Sequence, residues 1–126
     1  SIATVIIEVM KSISLPIKLY VPYKSVIAEL AIKENIPIVY EAFADRNYND
    51  DLTLVLRKKK NAIISDSEAL FNHVFRMITQ RKVKSIDGVE VKIIANTFCI
   101  HGDNPKAVNL IKDLNKKLTQ FHINIK

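Results

Sequence analysis

Two short polar clusters stand at the ends of apolar runs, and between them they hold the residue types that move protons and bind anions. The first is Glu41-Ala42-Phe43-Ala44-Asp45-Arg46-Asn47-Tyr48. Strand alternation puts Glu41, Phe43 and Asp45 on one face and leaves Asp45 and Arg46 at the strand's mouth. An aspartate there can bind a metal or act as a general base, and an arginine can grip a carboxylate or phosphate through paired hydrogen bonds. The same two residues could instead bond to each other and only fix a loop. The second cluster is His101-Gly102-Asp103. Here an imidazole follows an apolar strand, the glycine lets the backbone approach a ligand, and the aspartate stands where a helix would open. His101 could shuttle protons, bind metal or hold an anion beside a helix N-terminus. The alternative gives Asp103 a capping role and leaves His101 as a satisfied, partly buried side chain. His73 and His122 read as surface or packing residues. No HExxH, P-loop or GxGxxG occurs, and 2 glycines in the chain leave little for a phosphate cradle.

The elements that must position these clusters follow from periodicity. Ile2, Val5, Ile6, Val9 and Ile13 recur at helical spacing, and Ala3, Ile7 and Met10 fill much of the remaining circumference, so the first helix reads as buried nearly all round. A short apolar run, Ile17 to Val21, suits a buried strand, and Pro22 introduces a helix with Val26, Ile27, Leu30 and Ala31 on its inner face. Asn35 and Pro37 end that helix, and Ile36 to Phe43 forms a second strand. From Asn49 to Ile64 the pattern loosens into an excursion, in which Leu52 to Leu56 and Ala62 to Ile64 could pair as a ribbon. Ser65 and Glu68 have capping-box spacing for a third helix carrying Leu70, Val74, Met77 and Ile78 and running to about Arg81. Asp87-Gly88 suits a tight hairpin between Val83 and Val91, and a further strand spans Ile93 to Ile100. Asp103 or Asn104 can cap a last helix with Pro105 in its first turn and a face of Ala107, Ile111, Leu114, Leu118 and Phe121. Helices alternating with apolar strands predict an α/β fold with mainly parallel strands and a β-hairpin excursion, its ligand loops at the strands' carboxyl ends.

With 126 residues and 48% hydrophobic content, the chain reads as one domain, 1–126, with a real core. The longest apolar stretch, Ile2 to Met10, is interrupted by Glu8 and falls short of the roughly 20 residues of a membrane span. Neither a span nor a cleavable leader is expected, which makes the cytoplasm the default compartment. Cys99, inside an apolar run, is expected to act as a small buried hydrophobe. The 19 Lys and Arg against 13 Asp and Glu give a net charge of +6. Apart from Arg57, Lys58, Lys59 and Lys60 the cations are scattered and lack interleaved aromatics, so they read as solvated surface, with neither nucleic acid nor membrane as partner.

From Glu41 to Ile125 the sequence resembles the C-terminal part of the LamB/YcsF family, which includes the A subunit of prokaryotic 5-oxoprolinase. The resemblance rests on ordered blocks: Phe43-Ala44-Asp45-Arg46 with Tyr48; Leu54-Val55 and Arg57 leading to Ala62-Ile63-Ile64 and Asp66; Asp87-Gly88 with Glu90 and Val91; and Thr97-Phe98-Cys99-Ile100-His101-Gly102-Asp103 with Pro105 and Ala107-Val108. It implies part of a (β/α) barrel of the glycoside hydrolase/deacetylase type. It further implies ATP-dependent ring opening of 5-oxoproline to L-glutamate, with 5-oxoprolinase subunits B and C as partners. Asp45, Arg46, His101 and Asp103 fall on its motif positions as candidate catalytic residues. In that setting Arg46 would hold the substrate carboxylate or a phosphoryl group, His101 would transfer protons or bind metal, and Asp45 would orient one of them. No metal is specified.

Members of full length also carry an N-terminal half with an Asp-Leu-Asn-Cys-Asp-type opening and a Lys-Pro-His-Gly segment, neither of which is present in this sequence. Where they have a Gly-rich loop this chain has Pro22-Tyr23-Lys24-Ser25, and where they have glycine before the Ala62 strand it has Asn61. Two readings follow. The chain is one half of a larger subunit, completed by an N-terminal half-chain or by a second copy of itself, or it is a non-catalytic remnant or binding module of the same fold. A half barrel exposes sheet edges and apolar helix faces, so the first reading predicts a dimer or larger assembly.

Overall fold

The computed structural model describes residues 1–125. Ser1 opens the first helix, α1 (Ile2–Ser12), by accepting the Thr4 amide on its hydroxyl. An extended run follows into β1 (Leu19–Val21), then α2 (Val26–Lys33), capped by Ser25 through the Ala28 amide, and β2 (Ile38–Phe43). After a long excursion come α3 (Ser67–Gln80), the hairpin β3 (Lys82–Lys84) and β4 (Glu90–Lys92), then β5 (Thr97–Cys99) and α4 (Ala107–Gln120). β1, β2 and β5 form a parallel sheet with β2 in the middle, and β3 pairs antiparallel with β4. The expected mixed α/β layout with parallel strands is therefore present, together with its hairpin, in which Gly88 takes a φ of +83° that its type allows without strain.

One apolar cluster joins Leu70, Phe71 and Val74 of α3 to Leu110, Leu114 and Leu118 of α4, with Ala44 and Ile64 beneath them. A second gathers Met77, Ala42, Tyr48, Val83 and Ile93. α3 thus ties both clusters together, and complete burial of a side chain such as Leu70 contributes about 1.5–3 kcal/mol.

Several local expectations are corrected. α1 is not buried all round: within this chain it packs on α2, only Ile7 is buried, and Ile2 and Val5 remain 81% and 62% exposed. A helix apolar around its circumference needs neighbours on every side, and this chain supplies them on one. α2 turns Ala28 and Ala31 inward and leaves Val26 exposed, because small residues let the helix lie close to the sheet. In α4, Leu110 is buried while Ile111 and Phe121 are largely exposed. The α3 cap is Asp66, one residue after the expected Ser65, with its carboxylate accepting the Ala69 amide. Neither Asp103 nor Asn104 is the residue that caps α4: the helix starts at Ala107, past Pro105, and Asn104 instead accepts the Lys106 amide in the turn before it.

The excursion also differs. Its limbs do not pair with each other; each pairs with the chain just beyond β2. Asn47 receives the Val55 amide on its carbonyl and donates its own amide to Ala62, and Ile64 donates to Asp45. The backbone that leaves β2 has free amides and carbonyls, and the two limbs satisfy them from either side. Lys24 and Asn61, which replace small or glycine residues of the resembled pattern, both adopt left-handed backbone, at φ +59° and +64°. Asparagine accepts that conformation readily, and lysine does so at a cost.

Candidate functional site

Register builds the site. In the parallel pair of β2 and β5, Phe43 lies opposite Cys99, and the Ala44 amide donates to the Cys99 carbonyl at 3.0 Å, so the two chains stay side by side past the last ladder residues. Two residues further on, Asp45 meets His101. The Asp45 carboxylate is 2% exposed. Its Oδ2 accepts the His101 backbone amide at 2.9 Å, and His101 Nδ1 lies 3.2 Å from each carboxylate oxygen. An ionised carboxylate only accepts, so Nδ1 carries a proton and Nε2 is the nitrogen left free for chemistry. Phe43 stacks flat on the imidazole, with centroids 5.4 Å apart and planes 5° apart, which fixes the ring's tilt.

Arg46 does not pair with Asp45, so the loop-fixing ion pair that the sequence left open is not formed. Its guanidinium is buried, at 8% exposure; Nη2 donates to the Val55 carbonyl at 2.7 Å, and Nε finds no partner among the described residues. Asp103 bridges to Arg57 at 3.4 Å, with both side chains half-exposed or more. Asp45, Arg46, His101 and Asp103 nevertheless line one open cleft of about 250 Å3, together with Arg57, Ser65 and Asn104. All four residues singled out in the sequence are thus brought together. Arg57 is the one not singled out as a site residue: the sequence shows it as the first of a basic run and as part of a resemblance block, with nothing to place it at the cleft.

Beneath the cleft a second layer holds the end of β2. The buried Tyr48 hydroxyl accepts the Phe43 amide at 2.8 Å, and His73 donates from Nε2 to the Phe43 carbonyl at 3.2 Å while stacking on the Tyr48 ring. Burial pushes the Tyr48 hydroxyl up and the His73 imidazole down, so both are neutral, as hydrogen-bonding struts should be. His73 is therefore a packing residue, as expected. The half-buried Cys99 thiol is also pushed up, first by burial and then by the charges of Glu41 and Asp45, which keeps it protonated and unreactive. Among the described residues no three of His, Cys, Asp and Glu converge as a metal set, and no helix is long and apolar enough to cross a membrane.

Comparison with known proteins places this geometry. The LamB/YcsF family model matches residues 1–126. The 5-oxoprolinase A subunit from Campylobacter jejuni (strain 81-176) is 42% identical over 101 residues, which is 80% of this chain and 40% of that protein. Its counterpart from Coprothermobacter proteolyticus is 36% identical over 99% of this chain and 51% of its own length. The crystal structure of a lactam utilization protein from Thermus thermophilus superposes with a TM-score of 0.88 at 30% identity, covering 98% of this chain and 49% of that one. The chain spans about half the length of the relatives it matches, and it belongs to the LamB/YcsF family.

Proposed function

We infer that this chain supplies one half of the reaction site of a 5-oxoprolinase A subunit, which works in the ATP-dependent opening of 5-oxoproline to L-glutamate with subunits B and C. The observation that carries the reading is the buried Asp45 carboxylate that holds His101 with Nε2 free, beside the unpaired guanidinium of Arg46 in one cleft. In that arrangement Arg46 holds the substrate's carboxylate, His101 moves a proton at the lactam, and Asp45 keeps the imidazole oriented and stabilises it when protonated. The open cleft of about 250 Å3 has room for a small lactam.

The three parallel strands are, on this reading, an arc of a (β/α) barrel closed by an N-terminal half-chain in the cytoplasm. Support comes from the relatives' doubled length, from the exposed Ile2, Val5 and Val9 of α1, and from an apolar cleft of about 600 Å3 where Phe98 and Ile100 at the open β5 edge face Ile111 and Leu118 of α4. The test is co-expression with an N-terminal half and subunits B and C. Oxoproline-dependent ATP hydrolysis should appear, and His101→Ala should abolish it. Persistent silence from a well-formed complex would leave the non-catalytic remnant as the better reading.

A further inference from the structure

The two arginines of the cleft are partnered unequally. The Asp45 carboxylate accepts from His101 and forms no ion pair with the arginine that follows it in the chain. Among the described residues no carboxylate lies within ion-pair distance of Arg46, whose only bond is to a neutral carbonyl. An arginine residue that is more than nine-tenths buried, with no ion-pair partner and no acceptor for its buried Nε, is in a costly state, which an arriving anion relieves. In the same cleft Arg57 is held by Asp103 at 3.4 Å, at the long limit of a hydrogen bond and largely in solvent. Such a pair contributes little and exchanges easily.

We propose that Arg57 is a second anion-binding residue of this cleft, which leaves Asp103 and joins Arg46 on a ligand carboxylate or phosphoryl oxygen. Asp103 is then a displaceable counter-ion that competes with the ligand for Arg57, and not a catalytic residue. Two guanidiniums lining one cleft select a ligand with at least two acceptor oxygens on one small group, and a neutral lactam of the same size is refused. Ser65 and Asn104, which line the same opening, supply neutral hydrogen bonds to whatever the arginines hold. The inference rests on the cleft being the ligand site, as proposed above, but not on the reaction assigned to it.

The opposite signs expected for two neighbouring substitutions make it testable. Titration calorimetry on the chain would use 5-oxoproline, inorganic phosphate and 2-pyrrolidinone, the last being the lactam without its carboxylate. Saturable binding of either anion and none of 2-pyrrolidinone is expected, and the tighter anion identifies the oxygen group recognised. Arg57→Gln should weaken anion binding about tenfold, as loss of a charge-assisted contact does. Asp103→Asn should tighten it about two- to fivefold, the scale of an exposed ion pair removed from competition. Both side chains are half-exposed or more, so neither change threatens the fold. Weakening by Asp103→Asn, or indifference to Arg57→Gln, overturns the assignment, as does equal binding of 2-pyrrolidinone. If the binding trends hold while the reassembled enzyme fails to turn over, the proposed reaction falls and the anion site stands.

Discussion

Tyr48→Phe isolates one hydrogen bond on which the whole site depends. The substitution keeps the buried ring and its stacking on His73 and deletes only the hydroxyl that accepts the Phe43 amide at 2.8 Å. Phe43 sits at the last position of β2, and its amide donates to that hydroxyl at the point where the strand ends. An amide left without a partner costs about 1–3 kcal/mol, and because Phe43 is only half-buried the lower part of that range applies, about 1–2 kcal/mol. For a chain of this size each kcal/mol lowers the melting temperature by about 4 °C, so the midpoint should fall by about 4–8 °C. Far-UV circular dichroism in heat and in urea, at one fixed protein concentration, reads both quantities, and the urea slope should stay constant. Tyr20→Phe is the control: that side chain is exposed, and its variant should lie within about 0.5 kcal/mol of the parent. If Tyr48→Phe proves no more costly than Tyr20→Phe, the hydroxyl does not hold the strand end.

Two further predictions concern the same layer. Burial, the largest influence, holds the His73 imidazole below its ordinary value, opposed by hydrogen bonding at Phe43 and Arg46 and by the charge of Asp45. Below about pH 6.5 the unfolded chain therefore takes up a proton that the folded chain refuses, and stability that is full above that pH falls toward the lowered value. Melting temperatures from pH 8 to 5 should show an acid-side decline that His73→Phe flattens; parallel curves would contradict it. Asp45→Ala removes the acceptor of the His101 amide and of its ring, and should cost about 1.5–3 kcal/mol, the range for hydrogen bonds to a charged group. Equal stability in urea titration would mean that the buried carboxylate is held at a cost its bonds barely offset.

The parallel α/β order, the hairpin at Asp87-Gly88 and the approximate span of α3 were legible because each depends on local chemistry or periodicity. So were the two clusters at strand ends, since polar residues directly after an apolar run belong at a sheet's mouth. What the sequence could not show was pairing. The Asp45–His101 contact depends on β2–β5 register, a property of residues far apart in the chain. Arg57 stands at the head of Arg57-Lys58-Lys59-Lys60, all four exposed, and only the fold of the excursion brings the first of them to the cleft beside Asp103. The all-round burial expected of α1 failed for a different reason: periodicity reports what a helix can bury, not whether a neighbour is present to cover it.

That distinction bears on what half a site can do. Asp45 and His101 sit beyond adjacent strands of one sheet, so their geometry needs only the β2–β5 ladder and the Tyr48 and His73 struts, all of which this chain contains. Arg46 is likewise fixed by Val55 from the chain's own excursion. On the proposed function, the groups assigned to proton transfer and anion binding are therefore preorganised within this chain, and what a partner would add is enclosure: walls that exclude water, strengthen the arginine contacts and cover α1 and the open β5 edge. A half-chain of this kind is expected to bind a small anion weakly by itself and to gain affinity on assembly, because its recognition groups are already in place and their low-dielectric surroundings are not.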